Sequence, residues 1–235
     1  MRMKRLTAPK TWPIERKKKK YVIAPALGPH PKEKSIPLGV VIRDILSLAQ
    51  TLKEVKEILN KGLVKIDNKT RNDYKLPIGL MDVISIGKEY YRVLPSKKGF
   101  NIKQIGKDEA STKLVKIENK TCLKNKKIQL NMHDGKNMIV DNNDYRTGDV
   151  IVLDLDKNKV KEIIRLEKGC QVLLTGGNNI GKIGKMEDLV VTRSSQPDQI
   201  LVALDDRKIS LPKDYVFVIG KDKPIISLGD NNEKN

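Results

Sequence analysis

The chain is short of aromatic residues, cysteines and long apolar runs, and each shortage excludes a class of protein. Aromatic residues make up 4% of the 235 residues, so its cores must be mostly aliphatic. The two cysteines, Cys122 and Cys170, form no CxxC pair and with two histidines build no structural zinc site, so we expect reduced thiols. No run approaches about 18 apolar residues, and the basic N-terminus has no apolar core of a signal peptide. We therefore predict a cytoplasmic protein without metal, cofactor, membrane or small-molecule substrate.

Positive charge is what the sequence has in excess. There are 47 lysines and arginines against 29 acidic residues, a net charge of +18. Such a surplus is typical of proteins with a polyanionic partner, and the basic runs are not amphipathic as a membrane-surface helix would be. Residues 1–36 hold eleven basic and two acidic residues, which is half of the net charge, whereas residues 166–235 are neutral. The charge therefore favours nucleic acid as the partner, with the N-terminus as its strongest attraction.

Residues 1–36, called the N-terminal arm below, contain five prolines and few apolar residues. Proline at this density disfavours regular helices and strands, and the apolar content is too low for an independent core. We expect the arm to become ordered only against RNA, with Trp12, Tyr21 and His30 stacking on bases between the cations. A mobile basic tail is the alternative.

The next stretch has the pattern of two short helices folded onto a hairpin. Thr51 and Glu54 fit a capping box that starts the second helix, and Gly62 suits the position just after its end. A hairpin is predicted around Gly87. Apolar residues recur at helical spacing with lysines between them, in Leu38, Val41, Ile42, Ile45, Leu48, Leu52, Val55, Ile58 and Leu59. This stretch is predicted to be a compact module with a cationic outer face.

Beyond residue 95 the sequence changes to short apolar stretches separated by turn residues, without a long helix. We predict an α+β, multi-domain, β-rich chain in five segments: a basic arm at 1–36, a two-helix-plus-hairpin RNA-binding domain at 37–95, a linker and central β domain at 96–165, a barrel-like β unit at 166–220, and a polar tail at 221–235. Residues from Pro95 to about Asp108 are the expected linker. The lysines at 124, 126 and 127 are either a second RNA patch or a solvated loop.

No catalytic pattern in the sequence meets its chemical requirements. The segment from Gly176 to Ile183 nearly matches the phosphate-binding loop GxxxxGK[ST], but Ile183 has no hydroxyl for magnesium and no helix is predicted to follow. His133 and Asp134 have no apparent serine or cysteine partner, so they indicate a turn. We predict that the chain is not an enzyme.

Long motifs make the chain similar to a known family. KRLTAPKTWPIERKKKKYV at Lys4–Val22, GPHPKEKSIPL at Gly28–Leu38 and RNDYKLPIGLMDVISI at Arg71–Ile86 resemble the archaeal and eukaryotic small-subunit ribosomal protein S4e family. This resemblance implies an S-four-type RNA-binding domain, a central β domain and a KOW motif in an SH3-like barrel. The KOW signature falls on Gly169, Val172, Gly177, Gly181, Lys182, Gly184 and Lys185, with Leu174, Ile183 and Met186 where the pattern prefers valine.

The resemblance also implies a role in the ribosome of the cytoplasm, where the protein would bind small-subunit ribosomal RNA beside neighbouring small-subunit proteins and support assembly. An RNA-modifying enzyme with the same RNA-binding module and an off-ribosome translation or transcription factor with a KOW motif are the alternatives. The candidate RNA-binding residues are Arg2, Lys4, Arg5, Lys10, Trp12, Arg16, Lys17, Lys18, Lys19, Lys20 and His30 in the arm; Arg43, Lys53, Lys56, Lys61, Lys65, Lys69 and Arg71 in the helical module; and Lys182 and Lys185 in the KOW signature. For Arg43, pairing with Asp44 or with later acidic residues is the alternative to RNA binding.

Overall fold

The computed structural model describes residues 2–124, 127–141, 143–192, 196–204 and 207–228, with the side chain of Arg2 left out. The chain divides into two compact units, one formed by residues 1–94 and 98–113 and the other by residues 95–97 and 114–235. Both are β-rich with few and short helices, as the sequence predicted. The two units are coarser than the five predicted segments, whose individual bounds stay predictions. Lys126 and residues 229–235 of the predicted tail lie outside the described residues.

The first unit begins with a packed N-terminal arm. Strand β1 (Arg2–Lys4) pairs antiparallel with β2 (Tyr21–Ile23), and β3 (Ser35–Pro37) pairs antiparallel with β6 (Pro77–Gly79). Short 3-10 turns follow at Arg5–Thr7 and Lys32–Lys34. The arm contributes its few apolar side chains to the core of the unit, in Met3, Ala8, Trp12, Val22 and Ile23. The expectation that the arm has no structure without RNA is therefore corrected, because it uses the core of the following module instead of one of its own.

The helical module comes next in the same unit. Helix α1 (Leu38–Val40) continues into a π-helical turn (Val41–Ile45), in which the Leu46 N–H donates to the Val41 carbonyl. Helix α2 (Leu52–Asn60) starts at the predicted cap, where the Glu54 N–H donates to the Thr51 hydroxyl over 3.3 Å. The Glu54 carboxylate accepts from the Thr51 hydroxyl and from the Gln50 N–H, both over 2.8 Å. Gly62 follows α2 with φ +69°, which confirms its role as a helix-terminating glycine.

A five-stranded sheet completes the first unit, in the order β5-β4-β7-β8-β9. Its strands are β4 (Val64–Ile66), β5 (Lys69–Thr70), β7 (Val83–Ile86), β8 (Glu89–Ser96) and β9 (Gly99–Ile105), followed by the short helix α3 (Lys107–Ala110). The predicted hairpin is the β7–β8 connection, with Gly87 at φ +61°. The predicted linker from Pro95 to about Asp108 is wrong from residue 99 onward, because Gly99–Ile105 form the edge strand β9, whose Phe100 and Ile102 pack on the core, and α3 starts at Lys107.

The second unit contains two five-stranded antiparallel sheets. The first has the order β12-β11-β10-β13-β14, from β10 (Thr112–Cys122), β11 (Ile128–Met132), β12 (Asn137–Val140), β13 (Val150–Asp154) and β14 (Lys159–Ile164). The second has the order β18-β17-β16-β15-β19, from β15 (Gln171–Leu174), β16 (Ile183–Val190), β17 (Gln199–Leu204), β18 (Arg207–Pro212) and β19 (Val216–Gly220). The buried Lys116 links them, because its Nζ donates to the carbonyls of Lys213 (3.0 Å) and Val216 (2.9 Å).

The glycine-rich segment lies between β15 and β16. Gly177 and Gly181 have φ of +77° and +83°, a region that glycine adopts without strain. Strand β16 begins directly after Lys182, so no helix follows that could present its N-terminus to a phosphate. This geometry agrees with the sequence argument against a nucleotide-binding loop. Across the described ranges, no helix has the length and apolar character needed to cross a membrane.

Candidate nucleic-acid interface

Helix α2 and strands β4 and β5 each carry exposed lysines. On α2, Val55 and Leu59 are fully buried while Lys53 and Lys56 are exposed. On β4, Lys65 is exposed between the buried Val64 and Ile66, as expected for side chains that alternate across a strand. The other exposed cations predicted for this module are Lys61, Lys69 and Arg71. The apolar faces anchor these elements to the core, and they hold the cations on a rigid support.

The ring of Tyr74 contacts two lysines, Lys56 on α2 and its own neighbour Lys75. The Nζ of Lys56 lies 5.1 Å from the centroid of the Tyr74 ring, and the Nζ of Lys75 lies 5.6 Å from it. The backbone carbonyl of Tyr74 accepts a hydrogen bond of 2.8 Å from the Gly39 N–H, so α1 fixes the position of this ring. Cation–π attraction of this kind orients both ammonium groups. Lys75 was not among the predicted residues, although a lysine beside a tyrosine in the RNDYK motif is a usable signal for it.

The N-terminal arm carries a second exposed set of lysines. Lys20 lies over the Tyr21 ring, with its Nζ 5.5 Å from the centroid, and Tyr21 is itself exposed. Lys18 forms an ion pair of 3.1 Å with Glu15, but both side chains are largely exposed, so this contact leaves the lysine available to other anions. The remaining exposed members of the predicted set are Lys4, Lys10, Lys17 and Lys19. The side chain of Arg2 lies outside the described residues.

Trp12 and His30 of the arm are buried, although they were expected to be exposed and to stack on bases. Trp12 is 2% exposed, and its Nε1 donates to the Ser35 carbonyl over 2.6 Å. His30 is 7% exposed, and its Nε2 lies 3.0 Å from Asp82 Oδ2. An enclosed ring presents no face to a nucleobase, so the structure contradicts base stacking by these two residues. Both serve instead as anchors that fasten the arm to the helical module.

Arg5 and Arg16 of the arm are also directed inward. The Nε of the buried Arg5 donates to the Glu15 carbonyl over 2.5 Å, and its guanidinium lies 3.9 Å from the carboxylate of Asp44. Arg16 donates to the carbonyls of Ala8 and Pro9 over 2.8 and 2.7 Å. A guanidinium offers five N–H donors in a planar fork, which suits several carbonyl acceptors at once. Arg5 and Arg16 therefore brace the arm, and among its described side chains the exposed positive charge comes from lysines.

Arg43 meets the same carboxylate. Its Nε and terminal nitrogen donate to the two oxygens of Asp44 over 3.2 and 2.8 Å. Of the alternatives that the sequence left open for Arg43, the structure shows pairing with Asp44. Because Asp44 receives Arg43 in a bidentate contact and lies near Arg5, the guanidinium of Arg43 is held to the protein surface rather than extended from it.

The first unit also contains a buried ionic cluster, defined by His30, Asp67, Asp82 and Lys113. The fully buried Lys113 Nζ donates to Asp67 Oδ2 over 2.7 Å and to Asp82 Oδ1 over 2.6 Å. Asp82 Oδ2 also accepts from the Gly79 N–H over 2.9 Å. Burial alone would raise the pKa of Asp82, but the Lys113 ammonium, His30 and the Gly79 N–H outweigh it and hold that pKa well below the ordinary range. The cluster joins His30 of the arm to Asp67, which follows β4, and to Asp82, which precedes β7.

The two predicted KOW lysines lie in the second unit. Lys182 precedes β16, where the Leu174 N–H donates to the Lys182 carbonyl over 3.0 Å and the side chain is exposed. Lys185 is exposed on β16, in register with Gln171 of β15 and Ala203 of β17. Throughout the described ranges, no group of three or more histidine, cysteine or acidic side chains is arranged to hold a metal ion.

Comparison with known proteins gives consistent matches along the chain. The profile described as Ribosomal family S4e matches residues 87–160, and that of the RS4NT (NUC023) domain matches residues 2–33. The chain is 43% identical over 233 residues to the small ribosomal subunit protein eS4 of Methanosphaera stadtmanae, covering 97% of this chain and 96% of that protein. It is 44% identical over 235 residues to the eS4 protein of Archaeoglobus fulgidus, covering 97% and 98%.

A solved structure also matches. The crystal structure of the 30S ribosomal protein S4e from Thermoplasma acidophilum superimposes with a TM-score of 0.72 and 34% sequence identity. The match covers 81% of this chain and 97% of that one.

Proposed function

Because the chain belongs to the S4e family of ribosomal proteins, we propose that it is a structural constituent of the small ribosomal subunit that binds ribosomal RNA and supports its assembly in translation. The observation that carries this proposal is the set of exposed lysines fixed on the packed arm and helical module of the first unit. Phosphate groups, which dominate affinity for RNA, are the ligands that such a surface suits.

The proposed set of RNA-contacting residues differs from the sequence prediction because it is chosen by the exposure of each side chain. It keeps the exposed cations and omits Trp12, His30, Arg5, Arg16 and Arg43, whose polar groups are bound within the protein. It adds Lys75, which shares the Tyr74 ring with Lys56. A rigid pattern of cations recognises the shape and backbone of folded RNA, since the deep major groove of A-form RNA is closed to side chains.

The finer features of the family belong to the same proposal. The second sheet of the second unit is proposed to be the KOW-bearing SH3-like barrel, supported by five antiparallel strands and by the KOW signature on β15, β16 and their connection. We propose no catalytic role, a location in ribosomes of the cytoplasm, and contacts with neighbouring small-subunit proteins. The segment 37–95 is proposed as the S-four-type RNA-binding domain.

Assembly into the small subunit tests the proposal directly. Purified protein is added to small subunits that lack it and sedimented at moderate salt, and we expect it in the subunit fraction. The variant Lys53→Gln/Lys56→Gln should be depleted from that fraction, whereas Lys157→Gln/Lys159→Gln, which removes equal charge from exposed positions of the second unit's first sheet, should be retained more strongly. If wild-type protein stays in the supernatant, the proposed function is wrong.

A further inference from the structure

A basic cleft lies in the second unit, where it joins Gly169 and Lys185 of the KOW signature to charged residues that the sequence did not single out. Its volume is about 420 Å³, and its walls carry the charged side chains of Arg165, Lys168, Lys185 and Lys221 together with Glu167 and Asp222. Four cations against two carboxylates leave an excess of positive charge. Only Lys185 among the four was a predicted RNA-binding residue.

Backbone hydrogen bonds fix the walls of this cleft. On one side the Gly169 N–H donates to the Met186 carbonyl over 2.7 Å, and the Met186 N–H donates to the Cys170 carbonyl over 2.9 Å. On the other side Gln171 binds the segment after β19, with its N–H donating to the Lys221 carbonyl (3.2 Å) and its Nε2 donating to the Asp222 carbonyl (2.8 Å). The three segments that carry the cations are thus held in place before any ligand arrives, which lowers the entropic cost of binding.

The apolar lining of the cleft, called its floor below, increases the attraction of the cations for an anion. Ile163 and Cys170 line it with apolar surface, and a low local dielectric increases the attraction between opposite charges. Burial raises the pKa of the Cys170 thiol, so its sulfur is neutral at pH 7 and adds no negative charge. Gly169 has φ +89° and no side chain, and a Cβ added to it would lie 3.8 Å from the Cε of Lys185. Lys185 can therefore extend across the floor.

Two acidic residues near the cleft, Asp188 and Glu167, make defined contacts. Lys168 forms an ion pair of 2.8 Å with Asp188, and that contact lowers the pKa of Asp188. Glu167 accepts the Cys170 N–H at its backbone carbonyl over 3.3 Å, which closes the turn before Gly169. The ion pair of Lys168 is exposed and, like that of Lys18, leaves the lysine available to other anions; the further cations around the opening are Arg165, Lys185 and Lys221. Their common ligand is a small, strongly hydrated anion with several oxygens.

From this geometry we propose that the cleft holds one phosphodiester group of RNA. Arg165 and Lys221 neutralise it from the two sides, and Lys185 approaches from the floor. The RNA is that of the proposed function, so this second contact extends the RNA footprint of the chain to a place that the KOW signature alone does not indicate. An acidic peptide is the other occupant that the charge would suit, and the experiment below separates the two.

The experiment measures the salt dependence of RNA binding by the full chain. Dissociation constants for a small-subunit ribosomal RNA fragment are measured between about 50 and 200 mM salt for wild type and for Arg165→Gln/Lys221→Gln. Each lost phosphate contact reduces the slope of log K against log salt by about 0.7–0.9, and the variant loses one phosphodiester, so we expect a reduction of about 0.7–0.9. The conservative variant Arg165→Lys/Lys221→Arg should keep the wild-type slope, and Lys157→Gln/Lys159→Gln is the matched control.

The outcomes separate this proposal from the proposed function. If wild-type protein binds RNA and the Arg165→Gln/Lys221→Gln variant has the same slope as wild type, the cleft holds no phosphodiester, although the proposed function stands. An equal loss of slope in the control variant shows general charge attraction and overturns the cleft as a defined site. If wild-type protein does not bind the RNA at all, the proposed function itself fails. Unchanged thermal unfolding of the variants shows that the slopes report binding.

Discussion

Replacing Lys113 with methionine should be among the most destabilising changes in the first unit. The substitution keeps the apolar stem but removes an ammonium that donates to Asp67 over 2.7 Å and to Asp82 over 2.6 Å, at a site without solvent exposure. Two carboxylates, 10% and 4% exposed, are then left facing each other without the cation between them. Breaking a buried ion pair by removing one partner costs about 3–5 kcal/mol. That is a large part of the roughly 5–15 kcal/mol by which a domain is stable.

Urea denaturation monitored by circular dichroism measures this cost. With a typical slope of about 1–3 kcal/mol per molar urea, the midpoint of Lys113→Met should fall by about 1–5 M. Lys18→Met is the control, because the ion pair of Lys18 with Glu15 is exposed and contributes about 0–1 kcal/mol. Adding Asp67→Asn and Asp82→Asn to Lys113→Met removes the uncompensated charges, so it should recover part of the loss. A cost below about 1 kcal/mol for Lys113→Met would refute the view that this cluster holds the unit together.

Three further outcomes follow from the arm, the helix cap and the carboxylate of the cluster. Trp12→Ala should destabilise the first unit by about 3–5 kcal/mol and should expose residues 1–36 to trypsin. In wild-type protein the arm should resist trypsin as the rest of the unit does. If trypsin cuts the arm first in both proteins, the arm is not packed on the core. Thr51→Ala removes the acceptor for the Glu54 N–H and should cost about 1 kcal/mol by urea denaturation, while Thr70→Ala on the exposed β5 should cost less than half of that. The depressed pKa of Asp82 gives stability that is present above the pKa of an unfolded aspartate, near 3.9, and is lost as the pH falls below it. The difference in unfolding free energy between wild type and Asp82→Asn should therefore be constant from pH 6 to 7 and shrink below about pH 4. A difference that does not change with pH would contradict this.

The sequence predicted the helical module well because its signals are local. A capping residue, a terminating glycine and apolar residues at helical spacing act within a few positions of one another, so Thr51 and Gly62 could be read correctly without knowing the rest of the fold. The chain shows its β-rich character in the same way, through short apolar stretches between turns.

The arm was misjudged because its structure depends on distant partners. Its apolar residues are too few for an independent core, and that observation is correct, but Trp12 finds its acceptor at Ser35, and His30 finds its partner 52 residues away at Asp82. Lys113 likewise reaches back to Asp67. No period or spacing in the sequence relates such pairs, so a lysine at the centre of a core and a lysine on an open surface look alike in the sequence. The composition gives the net charge of the chain, but it cannot show which cations are buried and which are exposed.

The inward arginines and outward lysines of the arm have a chemical consequence. Reagents that modify primary amines can neutralise the exposed charge of Lys17 and its neighbours, while the guanidinium contacts of Arg5 and Arg16 that brace the arm are left intact. The fully buried Lys113 is shielded from the same reagents by its surroundings. The molecule can therefore lose its attraction for polyanions by covalent modification and still keep its fold, which makes surface charge and architecture separable properties of one chain.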